Sequence, residues 1–251
     1  MQVKKLTKQF GGIVAVNDVS FTVNQGEIVA VIGPNGAGKT TLFNMISSVI
    51  PPTNGEVLFL GEKLNGVPIH SLAGKRITRT FQNLQIFGNM TVLENVMLGV
   101  HVKLKTNVLT AALRLGSVKR DDDIAKKLAE EALERIGIAD QMNELAKNLP
   151  YGLQKLLEIA RAIVSEPRLI LLDEPMAGLN DSESARVANI LVDIKNNGCS
   201  FLFVEHDMTT VMKIADRIVV IDFGNKIAEG TPSEIMKNPK VIAAYLGEES
   251  V

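Results

Sequence analysis

The stretch Gly33-Pro34-Asn35-Gly36-Ala37-Gly38-Lys39-Thr40 has the residue types and spacing G-x-x-x-x-G-K-[ST] of a phosphate-binding loop. Its glycines let backbone N–H groups turn inward around phosphate oxygens, and a helix beginning at its end adds the positive end of a dipole. Lys39 supplies a cation for the β- and γ-phosphates, the Thr40 hydroxyl is a ligand for Mg²⁺, and Thr41 follows in the same helical turn. A second group stands at Leu169-Ile170-Leu171-Leu172-Asp173-Glu174, where an apolar run ends in two carboxylates. Asp173 can hold Mg²⁺ through its water shell, and Glu174 can take the proton of a water attacking a γ-phosphate. Alone, an apolar run ending in Asp carries little. Coupled to the phosphate loop it points to nucleoside-triphosphate hydrolysis.

Two branches of that chemistry are not favoured. The N-K-x-D motif that reads guanine is absent, because Asn225-Lys226 is followed by Ile227-Ala228. An Arg-rich kinase lid is also missing: the basic stretch 103–120 contains only Arg114 and Arg120. That stretch holds five basic residues and no acidic one, and reads either as a solvated face or as a contact for anionic headgroups or acidic loops. His70 and His101 match no motif and are assigned to the surface. The single cysteine, Cys199, cannot form an internal disulfide and reads as an inert small hydrophobe.

The elements that must position these groups follow from the apolar pattern. Val19, Phe21 and Val23 alternate with Ser20, Thr22 and Asn24, as in a half-buried strand. Ile28-Val29-Ala30-Val31-Ile32 has no polar interruption and stops at Gly33, as expected of a strand covered on both faces. Similar short runs recur at 169–172, 201–204 and 218–221, the pattern of a doubly wound α/β core. Between 91 and 162 no such run occurs. There Ile124, Leu128, Ala132 and Ile136 recur every four residues with Ala125, Ala129 and Leu133 beside them. Asp121, Asp122 and Asp123 suggest the start of that helix and Gly137 its stop. The expected organisation is a single domain over 1–251: an α/β core from 1–90 and 163–232, a helical insert at 91–162, and a C-terminal segment at 233–251.

Composition narrows the setting. Lys and Arg total 27 against 28 Asp and Glu, a formal charge of −1 that argues against a nucleic-acid partner bound through a global basic field. No apolar run approaches the roughly 18–20 residues that span a bilayer, and residues 1–12 lack the apolar stretch of a signal peptide. A soluble protein of the reducing cytosol is expected.

Taken together, these residues resemble the ATP-binding cassette (ABC) family over essentially the whole chain. Phe10 matches the ring that stacks on adenine, and Gln82, in Thr80-Phe81-Gln82-Asn83, the family's Q-loop. Tyr151 and Gly152 stand in the signature, followed by Glu158-Ile159-Ala160-Arg161-Ala162. Ala177-Gly178-Leu179-Asn180 matches the D-loop, and His206, in Val204-Glu205-His206-Asp207, the switch histidine. Finer details resemble the ATP-binding subunits of branched-chain amino-acid importers: the Tyr-Gly signature, the Val-Glu-His-Asp-Met block, and Arg217-Ile218-Val219-Val220 running to Gly230-Thr231-Pro232.

The resemblance implies a P-loop (RecA-like) core with an N-terminal antiparallel β subdomain and an inserted α-helical subdomain. It implies ATP and Mg²⁺ as ligands, with Gly33 to Thr41, Phe10, Tyr151 and Gly152 binding nucleotide and Thr40, Gln82 and Asp173 serving the metal. Glu174 would be the general base, His206 a donor to the γ-phosphate, and Gln82 the link between the metal, water and the partner contact. It further implies head-to-tail pairing with a second ABC ATPase, integral-membrane permease subunits, and a peripheral location on the inner face of the cell membrane. The signature Leu149-Pro150-Tyr151-Gly152-Leu153 departs from the family's Leu-Ser-Gly-Gly-Gln. Pro150 removes a hydroxyl and has no N–H, and Leu153 removes an amide. Either the chain pairs with a non-identical ATPase carrying a fuller signature, or the backbone donors suffice. Two other functions stay open: a soluble ABC-type clamp, disfavoured by the modest insert between Gln82 and Leu149 and by a single cassette, and lipid or lipopolysaccharide export.

Overall fold

Alternation near the N-terminus and unbroken apolar runs further on produce two different kinds of sheet. The computed structural model describes residues 1–80, 85–100, 116–205 and 207–246, without the side chains of 116–120 and 246. The described chain separates into a larger unit, Met1–Leu72 with Arg168–Val251, and a smaller one, Ala73–Pro167.

In the larger unit, β1 (Gln2–Phe10) and β2 (Ile13–Thr22) form an antiparallel hairpin, joined by β4 (Asn54–Phe59) and β5 (Glu62–Lys63) in the order β2-β1-β4-β5. Val3 pairs with Phe21 and Leu6 with Val19, so the apolar half of the alternation shares one buried face. The second sheet takes the continuous runs. The strands β3 (Ile28–Ile32), β7 (Leu169–Asp173) and β8 (Ser200–Val204) are buried at every position. Together with β9 (Arg217–Asp222) and β10 (Asn225–Gly230) they run in the order β10-β9-β3-β8-β7. β3 pairs in parallel with both β8 and β9, and β7 with β8, whereas β10 returns antiparallel to β9. The helix α1 (Lys39–Ile46) leads from β3 to β4, α5 (Asp181–Asn196) joins β7 to β8 and α6 (Met208–Ile214) joins β8 to β9, and α7 (Pro232–Met236) and α8 (Pro239–Leu246) follow β10.

Arg217 braces the start of β9. Its guanidinium donates to both Glu27 carboxylate oxygens, at 2.8 and 3.0 Å, to Thr22 O at 2.6 Å, and to Glu229 on β10. Burial alone would raise the Glu27 carboxyl, but the hydrogen bonds from Arg217 and from Asn24 N–H hold it below its ordinary value. A depressed carboxyl stabilises the fold above its unfolded pKa and stops doing so as the pH falls through its folded pKa. Arg217→Met is therefore expected to cost about 2 kcal/mol at neutral pH, the scale of lost charged hydrogen bonds that remain partly exposed. In thermal melts the gap from wild type should narrow as the pH drops below the carboxylate range. An unchanging gap would place the loss in packing.

The smaller unit contains the short strand β6 (Ile77–Arg79) and the mutually packed helices α2 (Val92–Gly99), α3 (Gly116–Ile136) and α4 (Tyr151–Ile163). This unit takes in residues 73–90 and 163–167, which the sequence reading placed with the core. Arg76 donates to Glu166 O at 2.9 Å and Thr78 Oγ1 to Ala162 O at 3.3 Å, tying that strand region to the end of α4. The aspartates at 121–123, expected at a helix start, lie inside α3, because an acidic run does not by itself mark a first turn. Its buried stripe runs through Ala125, Ala129, Leu133 and Ile136, while Ile124 is exposed. The stop at Gly137 is as expected: Ile138 N–H bonds Leu133 O and Gly137 N–H bonds Glu134 O, each at 3.0 Å.

Candidate active site

The phosphate loop leaves β3 and enters α1 through two backbone positions that only glycine fills. Gly33 has φ 154°, and a Cβ there would lie 2.0 Å from Ile221 O. Gly38, the N-cap of α1, has φ 99°, and its Cβ would lie 2.4 Å from Ala15 O. No acidic residue occupies the first turn of α1, so its positive end is not neutralised from within. Lys39 is buried, and its ammonium donates to Gly33 O at 2.7 Å and Pro34 O at 2.8 Å, which holds it across the loop. The Thr40 side is exposed and Thr41 half-buried.

Strand register sets the carboxylates relative to this loop. Val31 pairs with Val204, and Val204 with Asp173, so the ends of β3, β8 and β7 are level across three adjacent parallel strands. At about 4.8 Å per strand, the β3 and β7 ends are separated by roughly 10 Å. This is the carboxyl edge of a parallel sheet, where α/β proteins bind ligands. Asp173 closes β7 and is buried. Glu174 follows in a left-handed conformation, φ 50°, with its N–H on Val204 O at 3.0 Å and its side chain half-buried. His206 lies outside the described residues, but both neighbours are fixed. Glu205 is buried and accepts from Met176 N–H at 2.7 Å, and Asp207 caps α6 by accepting from Thr209 N–H at 2.9 Å and from Thr210. These bonds, that from the Thr210 hydroxyl foremost, hold the Asp207 carboxyl below its ordinary pKa. Asn180 of the D-loop motif caps α5 in a reciprocal capping box with Glu183.

A cavity of about 570 Å³ opens over the phosphate loop, lined by Asn35 to Thr41 and, on its other walls, by Ile13, Val14, Ala15, Phe223 and Gly224. Those last five carried no signal tied to nucleotide in the sequence. Ile13 to Ala15 and Phe223-Gly224 belong to none of the motifs quoted from the sequence. Phe10, assigned to base stacking, is half-exposed at the end of β1, with the Lys8 ammonium 5.1 Å from its ring centroid. It is not among the residues lining this cavity.

In the smaller unit, α4 begins at Tyr151 with Pro150 as its N-cap and no side-chain cap. Its first intrahelical bond runs from Gln154 N–H to Pro150 O, 3.0 Å, so helix geometry directs the Gly152 and Leu153 N–H groups out of the helix end. Tyr151 is exposed and Gly152 buried. Gln82 lies outside the described residues, as do His101 and the side chains of 103–120. The chain on either side of Gln82 borders a cavity of about 430 Å³ with Thr80, Phe87, Leu98, Glu158 and Arg161 among its walls. The buried Asn95 side chain holds Phe87 from both sides, accepting from its N–H at 2.9 Å and donating to its carbonyl at 3.0 Å. The Arg161 guanidinium sits 5.9 Å from the Phe87 ring centroid, and burial lowers its pKa against the pull of Glu158.

The phosphate loop, the level carboxylates and the two-sheet α/β architecture define a P-loop nucleotide-binding cassette. Residues 16–177 match the family described as ABC transporter, and the chain belongs to it. Residues 225–251, which hold β10, α7 and α8, match the family described as branched-chain amino acid ATP-binding cassette transporter. The chain is 43% identical to the high-affinity branched-chain amino acid transport ATP-binding protein LivG of Escherichia coli K12, over 99% of this chain and 98% of that one. It is 33% identical to the lipopolysaccharide export system ATP-binding protein LptB of Haemophilus influenzae, over 98% and 96%. Among solved structures it is similar to the ADP conformation of the cassette MJ1267, with TM-score 0.85, 30% identity and 98% of each chain covered. It is also similar to a dimeric post-hydrolysis state of MJ0796 bound to ADP and Pi, with TM-score 0.76, 27% identity, and 92% and 98% covered. Among the described residues, no helix is long and apolar enough to cross a membrane.

Proposed function

We propose that the chain is the ATP-hydrolysing subunit of a membrane ABC transporter that powers uptake of branched-chain amino acids through separate permease subunits. The observation that carries the ATPase reading is the level register of Val31, Val204 and Asp173, which sets the phosphate loop and the carboxylates on one edge. The cargo reading is supported by the C-terminal match and by the higher identity to LivG than to LptB.

The residues fit a triphosphate with Mg²⁺. Loop N–H groups and Lys39 meet the phosphate charge, while Thr40 and Asp173 are oxygen donors of the kind a hard cation prefers. Mg²⁺, when bound, neutralises charge developing on the phosphates. Glu174 takes the proton of the attacking water, and the signature N–H groups of a second ABC ATPase, identical or not, complete the γ-phosphate contacts. His206 and Gln82 keep the roles of γ-phosphate donor and coupling residue. The segment drawn at 91–162 serves as the helical subdomain. The groove beside Phe87, with half-exposed Phe87 and Leu98 on its rim, is where the permease engages. That engagement holds the subunit on the inner membrane face.

Uptake of labelled leucine by cells carrying the chain and its permeases tests this. Lys39→Ala should reduce uptake by about 100-fold or more, since a charge-assisted phosphate contact and its transition-state share are both lost. Wild-type uptake that tolerates Lys39→Ala would remove the ATPase role. Lipid transport in place of leucine uptake would favour the export reading.

A further inference from the structure

The turn joining β9 to β10 belongs to no motif read from the sequence, yet it is built into the nucleotide site. Gly224 N–H donates to Ala37 O at 2.9 Å, and Gly224 O accepts from Asn17 N–H at 2.8 Å, so one residue is tied to both the phosphate loop and β2. Asn17 Nδ2 donates to Asn225 Oδ1 at 3.0 Å and repeats the tie one residue on. Just before the turn, Ile221 O lies against Gly33. The phosphate loop is thus seated on the backbone of the β9–β10 hairpin.

Phe223 stands at the tip of that turn with φ 41°, and the residue is 85% exposed. Neither ordinary role of a phenylalanine accounts for it. It is not in the core, and a left-handed turn position is better served by Gly or Asn. What it does border is the cavity over the phosphate loop, together with Ile13 and Val14, both exposed apolar side chains. The phosphate end of that cavity is polar backbone and Lys39. Its remaining walls present an aromatic ring and two branched aliphatics, a surface that complements a flat heterocycle rather than further phosphate.

We propose that Phe223 is a specificity-determining residue of the nucleotide site, its ring forming an apolar wall for the base while the loop holds the phosphates. This rests on the nucleotide reading of the Lys39 loop and deepens it. Phe223 acts independently of Phe10, whose ring is approached by Lys8 and does not line this cavity. The same side chain also borders a second cavity, of about 640 Å³, with Ile227 of β10 and Lys240, Ala243 and Ala244 of α8. A ring committed to that side would contribute stability instead of affinity.

Isothermal titration of the full chain with Mg-ATP, and in parallel with Mg-tripolyphosphate, separates these outcomes. Phe223→Ala and Phe223→Asn, the latter suited to a left-handed backbone, should weaken ATP binding about five- to tenfold, the scale of one base–aromatic stack. Tripolyphosphate affinity should stay within about twofold of wild type, and Phe223→Trp should restore ATP binding. Unchanged ATP affinity in Phe223→Ala overturns the proposal, and a lowered melting temperature alongside it would assign the ring to α8. Equal losses for ATP and tripolyphosphate also overturn it, because they mean a disturbed phosphate loop. If Lys39→Ala binds ATP as well as wild type does, the nucleotide reading falls and takes this proposal with it. An intact Lys39 effect with no Phe223 effect removes the proposal alone.

Discussion

Glu174→Gln is expected to lower steady-state ATP turnover by about 10²–10⁴-fold, the contribution of a positioned general base. ATP affinity should be retained. The substitution is isosteric, and the backbone that places residue 174 does not depend on its charge: Glu174 N–H bonds Val204 O at 3.0 Å and Ala177 N–H bonds Glu174 O at 3.1 Å. The residues proposed to hold the phosphates lie in the loop after β3, on another strand of the sheet. Blocking hydrolysis should also trap the ATP-bound assembly, which light scattering after gel filtration with Mg-ATP can weigh. A doubled mass means that the signature with Pro150 and Leu153 suffices between identical chains. A monomer that still binds ATP means the partner is a different ATPase. Turnover retained within about tenfold of wild type would move the general base away from Glu174.

Gly33→Ala should be strongly destabilising for a single added methyl. At φ 154° and with Ile221 O only 2.0 Å from the new Cβ, the methyl cannot be accommodated by a side-chain rotation, since the obstacle is the backbone of β9. Either β9 or the phosphate loop must shift. Backbone strain and overpacking together suggest a loss of about 3–5 kcal/mol. Gly36→Ala supplies the internal control: its φ is 78°, but nothing lies within 4 Å of the added Cβ, so only the conformational cost of about 1–2 kcal/mol applies. Urea denaturation of both variants checks the difference. Equal losses would mean that the close approach to Ile221 is relieved cheaply.

The core strands and the phosphate loop were legible because their signals are local. An unbroken apolar run ending in Gly or Asp states burial, length and terminus at once, and each of those at 28–32, 169–172, 201–204 and 218–221 falls within a strand of the larger unit. The helical stretch was legible in kind but not in its details. A four-residue recurrence does not say which side of the stripe is covered, so Ile124 was placed with residues that are buried while it is exposed. Asp121 to Asp123 were expected at a helix start but lie inside α3, because an acidic run does not by itself distinguish a first turn from a helix interior. The walls of the phosphate cavity outside the loop itself were not legible. Phe223 and Ile13 are separated by some two hundred positions, and only the antiparallel return of β10 and the bonds of Gly224 bring them to one site. No pattern within a short window records such a meeting.

The burial of β3, β7 and β8 at every position has a consequence for amide hydrogen exchange. Amides in such strands exchange only when the whole unit opens, whereas those of surface loops exchange through small local fluctuations. The phosphate loop and the Glu174 turn are attached directly to the ends of these strands, the slowest-exchanging part of the larger unit. Protection gained on adding nucleotide would be confined to a few residues beyond each strand end. Deuterium uptake in the strands themselves would serve as an internal clock for global unfolding, read from the same sample.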